Sequence, residues 1–279
     1  MSRPVITLTT DFGQTDGYVG AMKGAILGIC PQVMLVDVSH EIRPQAVRQA
    51  AYILGKTMPY FPPNAVHLVV VDPGVGSARR PIAVQTARCI YVAPDNGVLS
   101  WVLAQDPAHL AVHLTEAGYR LPRVSATFHG RDIFAPAAAH LACGTDPREM
   151  GEVIPSTGLV SLPALQPELQ ADGSWQGEIL NVDHFGNLVT SFQLPAAGAQ
   201  SVALDSEFWI MVGKEQIGDL SRTFADVKAG KLAAYVGSDG YLEIAVRNGN
   251  ASARLNMDAG DPVWVKGLGV IPRPISNNM

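Results

Sequence analysis

The stretch from Val69 to Arg80, which reads VVVDPGVGSARR, decides the fold. Three valines carry an apolar strand up to Asp72, and a proline and two glycines then turn the chain toward two arginines. A continuous apolar run is typical of a parallel strand that is buried on both faces. Ligands of α/β proteins bind beyond the carboxyl ends of such strands. The stretch therefore predicts an α/β sheet with a polar site at this strand end.

Strands and helices alternate on the N-terminal side of this stretch. Val5 to Thr10 and Val33 to Val38 read as strands, since β-branched and apolar residues predominate in both. Apolar residues recur at helical spacing from Val19 to Ile29, with Asp16 as the expected cap, and Pro44 to Met58 reads as a second helix. This alternation predicts a parallel sheet covered by helices.

The C-terminal part of the chain has a different character. From Pro155 to Gly173 the composition shifts toward proline without periodicity, which indicates a domain boundary. Short β-rich segments follow, as in small barrels: Gly177 to Val182, Leu188 to Phe192, Phe208 to Val212, Leu232 to Val236, Leu242 to Val246 and Pro262 to Val265. We therefore predict an N-terminal α/β sandwich domain with a mainly parallel sheet (residues 1–158), a proline-rich linker (159–175) and a C-terminal β-barrel domain (176–279).

Charge and cysteine content narrow the class of protein. The net charge is −5 and the basic residues are scattered, which argues against a nucleic-acid or anionic-membrane partner. Cys30, Cys89 and Cys143 are odd in number and far apart, so reduced thiols are favoured over disulfides or a metal site. We expect no signal peptide, since the first residues lead directly into a strand pattern, and the sequence has no apolar run of about 18 residues. We expect a soluble cytoplasmic protein whose partner is a small molecule or another chain.

Carboxylates follow several predicted strands at the point where each strand ends, namely Asp11, Asp37, Asp72 and Asp95. A single Asp before Gly or Pro is commonly only a turn former. Several carboxylates at one edge repel each other unless a ligand or cation uses them. His129 opens a further predicted helix with Asp132 as the expected cap, a good position for holding a polar ligand. The histidines beside apolar runs are expected to be structural; they are His40, His67, His113 and His140.

Several common catalytic motifs are absent from the sequence. It contains no phosphate-binding loop, dinucleotide fingerprint, serine nucleophile elbow or H-E-x-x-H zinc motif. In the predicted barrel domain, residues 181–190 place an aspartate, an aromatic ring and an amide on one turn. Such a turn can stack on and hydrogen-bond a purine, or it can be an ordinary hairpin with a core phenylalanine. Both interpretations stay open on spacing alone.

Six motifs in a fixed order give the chain a specific resemblance. It resembles the S-adenosylmethionine hydroxide adenosyltransferase family, which is related to the fluorinase and chlorinase enzymes. The motifs are LTTDFG (8–13), VVDPGVG (70–76), APDNG (93–97), TFHGRDIF (127–134), DHFGN (183–187) and GYLEI (240–244).

The resemblance implies an activity and a set of site residues. The reaction is attack of water at the ribose C5′ of S-adenosyl-L-methionine, giving adenosine and L-methionine without a metal ion or other cofactor. The implied assembly is a homotrimer with the site between subunits. The implied catalytic residues are Asp72, Arg79 and His129, and which of them is the base stays open. The implied substrate-binding residues are Asp11 for the ribose diol, Phe185, Asn187 and the Asn248 backbone for adenine, and Asp183, Ser238 and Glu243 for the methionine end.

Departures from the halogenating relatives favour water as the nucleophile. In the fluorinase, a tyrosine occupies the position of Asp72 and a threonine that of Val75, and the position of His129 is not histidine. This chain has neither that tyrosine nor that threonine, which helps to hold fluoride there. The competing interpretations are a chlorinase-like halogenase and a non-catalytic sensor of S-adenosylmethionine or adenosine.

Overall fold

A computed structural model describes residues 3–194 and 204–268. These residues divide at the Leu162–Pro163 bond into two compact units. We call them the α/β unit and the barrel unit and describe each by itself.

The α/β unit is built on a seven-stranded sheet. Its strands are β1 (Val5–Thr10), β2 (Met34–Ser39), β3 (Val66–Val70), β4 (Pro81–Gln85), β5 (Ile90–Pro94), β6 (Leu110–Leu114) and β7 (Gly151–Ile154). They lie in the order β2-β1-β3-β5-β4-β6-β7. The first four strands of this order are parallel, and the pairings from β5 to β7 are antiparallel. The predicted α/β fold is confirmed.

Helices cover both faces of this sheet. They are α1 (Tyr18–Ile29), α2 (Val47–Thr57), α3 (Ser100–Gln105) and α4 (Ala135–Ala142), the last preceded by a π-helical turn at Gly130–Phe134. One core contains side chains of α1 and α4, and the other contains those of α2 and α3. In β3, Leu68 packs into the first core and Val69 into the second. Burial on both faces explains the continuous apolar run in this strand.

Two helix starts differ from the sequence prediction. Asp16 does not cap α1, because Gly17 occupies the N-cap position and no side chain bonds to the first turn. The second helix begins at Val47 and not at Pro44. Gln45 has a φ of 66°, which lies in the left-handed region and cannot continue a right-handed helix.

The prediction that all three cysteines are reduced was wrong. Cys30 and Cys143 form a disulfide with a Cα–Cα distance of 6.1 Å, and only Cys89 is a free, buried thiol. The two bonded residues cap the C-terminal ends of α1 and α4. They are 113 residues apart in sequence, so no local spacing signals the bond. Because a disulfide is present, the cysteines no longer support the expectation of a reducing compartment.

His67 is a buried histidine whose titration is tied to folding. Its Nδ1 lies 2.8 Å from the Thr7 hydroxyl, and its Nε2 has no hydrogen-bond partner among the described residues. Burial, aided by the charge of Arg88, lowers the pKa of His67 to about 4. The unfolded chain takes up this proton below about pH 6.5, so stability is complete above that pH and falls as the pH drops toward 4.

We expect the free energy of unfolding to fall by up to about 1.4 kcal/mol per pH unit over this window because of His67. Guanidinium unfolding at several pH values measures the slope. A His67→Gln variant should flatten it, whereas the same change at the exposed His109 should not. An unchanged slope in His67→Gln would show that other groups are responsible.

The barrel unit is an eight-stranded antiparallel sheet. Its strands are β8 (Glu168–Leu169), β9 (Trp175–Val182), β10 (Leu188–Gln193), β11 (Leu204–Val212), β12 (Glu215–Ile217), β13 (Leu232–Val236), β14 (Tyr241–Val246) and β15 (Pro262–Leu268). The order is β12-β11-β15-β9-β10-β14-β13, with β8 beside β9, and the end strands β12 and β13 contact each other. The sheet is therefore nearly closed, as predicted. A short helix, α5 (Ala251–Leu255), follows β14. In the described ranges, no helix has both the length and the apolar character needed to cross a membrane.

Candidate active site

Three side chains that the sequence singles out meet beyond the end of β3. The Nε of Arg79 donates to both carboxylate oxygens of Asp72, at 2.9 and 3.0 Å, and its Nη2 donates to Oδ2. The same Nη2 lies 2.9 Å from Nδ1 of His129. The side chains of Asp72 and Arg79 are only 5% and 9% exposed, so this is not a solvated surface pair of small energy. Arg79 therefore joins a carboxylate and an imidazole into one unit.

The hydrogen bond from Arg79 fixes the form of the His129 ring. A guanidinium can only donate, so Nδ1 of His129 accepts, and the hydrogen of the neutral ring is on Nε2. Burial, and next the positive charge of Arg79, lower the pKa of His129, with partial opposition from Asp72. Neutral His129 thus offers an N–H donor at Nε2 and has no free acceptor nitrogen.

Arg79 and Arg80 are adjacent in sequence but bond to different carboxylates. Arg80 donates to Asp95 at 2.9 Å, and Asp95 also accepts the N–H of Val160 at 2.8 Å. Arg79 is held from the other side by the ring of Phe134, 5.0 Å from its guanidinium carbon. Asp95 is therefore part of a structural contact of its own and not of the same group as Asp72.

A cavity of about 660 Å³ opens beyond the ends of β1 and β3. Asp11, Asp72 and His129 line it, whereas Arg79 is not among its lining residues. Aromatic side chains form part of its wall, namely Phe12, Tyr18 and Phe128, whose rings contact each other edge to face. The cavity thus combines two carboxylates, an imidazole and an apolar surface, as small-molecule sites do.

Asp11 is half-buried at the end of β1, where the sequence predicts it. Its Oδ2 accepts the backbone N–H of Gln45 at 2.8 Å. Burial raises the pKa of Asp11, the Gln45 N–H partly offsets this, and the nearby charge of Asp72 adds to the increase. Asp11 and Asp72 therefore both line the cavity, as expected from the carboxylates that follow neighbouring predicted strands.

Asp37, the remaining carboxylate predicted at a strand end, lies within β2 and does not line the cavity. It accepts a 2.6 Å hydrogen bond from Lys23 and lies 3.1 Å from Nε2 of His40. Burial would raise the pKa of Asp37, but these two partners outweigh it and lower the pKa. His40 is fully buried at the side chain, as expected for a structural histidine.

The loop that carries His129 is stabilised by Asp132. The prediction that Asp132 caps a helix was wrong, since it lies within the π-helical turn Gly130–Phe134 and His129 occupies the N-cap position. The buried Asp132 carboxylate accepts the Ser125 N–H at 2.8 Å and the Arg131 Nε at 2.6 Å. It thereby ties residues 125–132 together, next to the cavity.

In the barrel unit, the turn between β9 and β10 carries three of the predicted site residues. One oxygen of Asp183 accepts the backbone N–H groups of Phe185 and Asn187 at 2.9 and 2.8 Å, and the other accepts the Asn187 side-chain amide at 2.9 Å. Phe185 is 72% exposed, so it is not a core phenylalanine of a hairpin. The turn presents an aromatic ring beside an oriented amide.

Glu243 lies on β14 between Val189 of β10 and Tyr235 of β13. The Tyr235 hydroxyl bonds to Glu243, and burial, then the charge of Glu243, raise the pKa of Tyr235; the charge of Asp183 adds to the increase. Ser238 and Asn248 are exposed in the turns before and after β14, and Asn248 has a φ of 57°. Sequence reasoning did not single out Tyr235, which bonds to Glu243, or, in the α/β unit, Gln45, which bonds to Asp11, because neither contact has a local sequence signal.

Among the residues that the structure describes, no group of three or more His, Cys, Asp or Glu side chains is arranged to hold a metal ion.

Fold and cavity together define the class: an α/β protein, with an appended barrel, that binds a small ligand beyond the carboxyl ends of parallel strands. Family models are more specific. Residues 6–151 match the SAM hydroxide adenosyltransferase N-terminal domain, and residues 177–264 match the C-terminal domain of the same family. The chain belongs to the SAM hydroxide adenosyltransferase family.

Individual relatives and a solved structure agree with this assignment. The chain is 40% identical over 265 residues to an (R)-S-adenosyl-L-methionine hydrolase of Salinispora arenicola, covering 95% of this chain and 98% of that one. A fluorinase of Nocardia brasiliensis is 29% identical over 292 residues, covering 95% and 97%. The crystal structure of an uncharacterized conserved protein from Thermotoga maritima superimposes with a TM-score of 0.85 at 35% identity, covering 94% and 99%.

Proposed function

We propose that this protein hydrolyses S-adenosyl-L-methionine to adenosine and L-methionine. The observation that carries the proposal is the joined Asp72–Arg79–His129 group beside a cavity, in a chain whose hydrolase relative is more similar than its fluorinase relative. Asp72 and His129, joined by Arg79, hold one water molecule in line with the C5′–S bond.

The reaction needs catalytic help for the water nucleophile but not for the thioether leaving group. A lone pair of the water oxygen forms the C5′–O bond, and the C5′–S pair leaves with sulfur as the neutral thioether of methionine. No acid is needed for the leaving group, whereas the attacking water must lose one proton, which finally goes to solvent. In-line positioning and general-base assistance therefore supply the catalysis.

Asp72 takes this proton. The neutral His129 has its acceptor nitrogen occupied by Arg79, so its Nε2–H donates to the water oxygen and orients it. The Asp72 Oδ2 accepts two bonds from Arg79 and Oδ1 accepts one, which leaves Oδ1 the freer oxygen. Water becomes strongly acidic once its oxygen bonds to carbon, so an ordinary carboxylate is basic enough to accept the proton late in the reaction.

The remaining predicted residues bind the substrate. Asp11 accepts hydrogens of the ribose diol, Phe185 stacks on adenine, and Asn187 and the Asn248 backbone hydrogen-bond its edge. Asp183, Ser238 and Glu243 hold the methionine end. The exposure of Phe185 and the free acceptor capacity left on Asp183 support these roles.

The proposed chemistry requires no metal ion or other cofactor, because the thioether leaves as a neutral group and Asp72 accepts the proton of the water. From the resemblance we also propose a homotrimer with the site between subunits. A cytoplasmic location is proposed because S-adenosylmethionine is made and used inside cells.

Incubation with S-adenosylmethionine in ¹⁸O water tests the reaction directly. We expect adenosine that carries ¹⁸O at its 5′ position, detected by mass spectrometry, and an equal amount of methionine. Addition of chloride should give no 5′-chloro-5′-deoxyadenosine. Chlorinated product would identify a halogenase, and thermal stabilisation by the ligand without methionine release would identify a sensor.

A further inference from the structure

Gln45 adopts a backbone conformation that is uncommon for its residue type. Its φ is 66°, and in the α/β unit the one other non-glycine residue with positive φ among those described is Asn64, at 65°. Asparagine tolerates the left-handed region, whereas glutamine rarely adopts it. Such conformations persist only where the surroundings enforce them, and they concentrate at functional sites.

The left-handed conformation brings the N–H of Gln45 onto Asp11. It donates to Oδ2 at 2.8 Å across 34 residues of sequence. Both residues line the cavity. Burial and the neighbouring Asp72 both disfavour a charged Asp11, and the Gln45 N–H acts in the opposite direction. The contact therefore supports the acceptor form of the carboxylate at the position where it faces the cavity.

The segment that carries Gln45 is anchored to both sides of Asp11. The His40 carbonyl accepts the N–H of Gly13 at 2.8 Å, and the His40 ring nitrogen Nδ1 lies 2.8 Å from the hydroxyl of Thr10. His40 and Thr10 are buried. Because the residues on both sides of Asp11 are fixed in this way, its side chain has little freedom to turn away from the cavity. The Gln45 N–H then holds the Oδ2 atom of Asp11 in place.

We propose that Gln45 is a positioning residue whose left-handed backbone holds the Asp11 carboxylate in the orientation that accepts the two hydroxyl hydrogens of a cis-diol. The inference rests on the proposed function, in which Asp11 binds the ribose. Gln45 acts through Asp11, so it governs the recognition of the diol and not the attack of water.

The test compares binding of adenosine with binding of 2′,3′-dideoxyadenosine by calorimetry. Two hydrogen bonds to a carboxylate should make the wild-type affinity ratio about tenfold or more. In Gln45→Val, a β-branched residue that disfavours positive φ, we expect the ratio to fall at least about threefold. Gln45→Gly, which adopts positive φ freely, should lose less. Both variants lack the side-chain amide of Gln45, so the difference between their affinity ratios measures the effect of the backbone conformation.

Asn64→Val is the matched control, because it introduces the same strain at an exposed residue outside the cavity lining. It should keep the wild-type ratio. If Gln45→Val does not fold, replacing the Pro44–Gln45 peptide bond by an ester removes the N–H alone. If Gln45→Val or the ester analogue keeps the wild-type affinity ratio, the inference is overturned. Undiminished diol recognition in Asp11→Ala contradicts the Asp11 role within the proposed function instead, which distinguishes the two failures.

Discussion

An Asp72→Asn variant is expected to release adenosine about 10²- to 10⁴-fold more slowly than wild type, while its KM changes by less than about threefold. Asparagine fills the same space and still accepts from Arg79, but it does not take the proton of the attacking water. Because the loss occurs at the transition state and not in binding, kcat and kcat/KM fall together. Steady-state kinetics with radiolabelled S-adenosylmethionine measures both, and single-turnover kinetics shows that the chemical step is the one slowed.

The neighbouring arginines provide a matched pair for the same prediction. Arg79→Lys should lose nearly as much turnover, since one ammonium group cannot serve both the Asp72 carboxylate and the His129 ring in the fork geometry of a guanidinium. Arg80→Lys should stay within about threefold of wild type, because Arg80 bonds to Asp95 outside the cavity lining and lysine keeps its positive charge. Equal losses in the two lysine variants would contradict the roles assigned to the arginines.

The three residues should also behave as a unit. A double variant, Asp72→Asn with His129→Asn, is expected to be little worse than the poorer single variant, since each change removes one of the two groups that act on the same water molecule. Protonation of His129 would place a hydrogen on Nδ1 facing the Arg79 donor. Burial and the charge of Arg79 lower the pKa of His129, so turnover should be lost only at a pH more acidic than that at which an ordinary histidine is protonated. Strictly additive losses would show that the residues act independently.

The sequence predicts those parts of the fold that depend on residues close together in the chain. The valine run of β3 is buried on both faces, and Asp72 follows it as expected. The distinction between Arg79 and Arg80 comes from the family resemblance, and their different carboxylate partners agree with it. The turn at Asp183 to Asn187 carries its own signal too, because an Asp that bonds to following N–H groups is a property of a few adjacent residues.

Contacts between distant residues are the part that local patterns miss. Strand-end position does not distinguish Asp72 from Asp95, whose partner Arg80 makes it structural. Pro44 resembles a helix start, yet the bond from Gln45 to Asp11 delays the helix by three residues. In both cases a partner far away in sequence decides the outcome, and composition near the residue contains no record of that partner.

The Cys30–Cys143 disulfide is expected to have the largest effect on stability. In the chain-entropy model, closing a loop of roughly 113 residues stabilises the folded state by about 4 to 5 kcal/mol, which for a unit of this size corresponds to a shift in Tm of roughly 10 to 15 °C. Cys143→Ser is the cleaner variant, because Cys143 is exposed whereas Cys30 is fully buried. Calorimetry should show the transition of the α/β unit lowered and that of the barrel unit unchanged, since both cysteines belong to the former.

Reductant separates the loss of the crosslink from a packing defect. A phosphine reductant should lower the Tm of wild type and of Cys89→Ala, whose thiol is free, but should not lower that of Cys143→Ser further. The disulfide joins the C-terminal ends of α1 and α4, whereas Tyr18 and His129 lie at or just before the N-terminal side of those helices. The twelve residues of α1 extend over about 18 Å, so Cys30 at one end lies about that far from Tyr18 at the other. Loss of the disulfide should therefore leave turnover well below the Tm within about twofold of wild type. A wild-type Tm that does not respond to reductant would mean that the bond does not stabilise the fold, and a loss of turnover in Cys143→Ser below its Tm would mean that the crosslink also shapes the cavity.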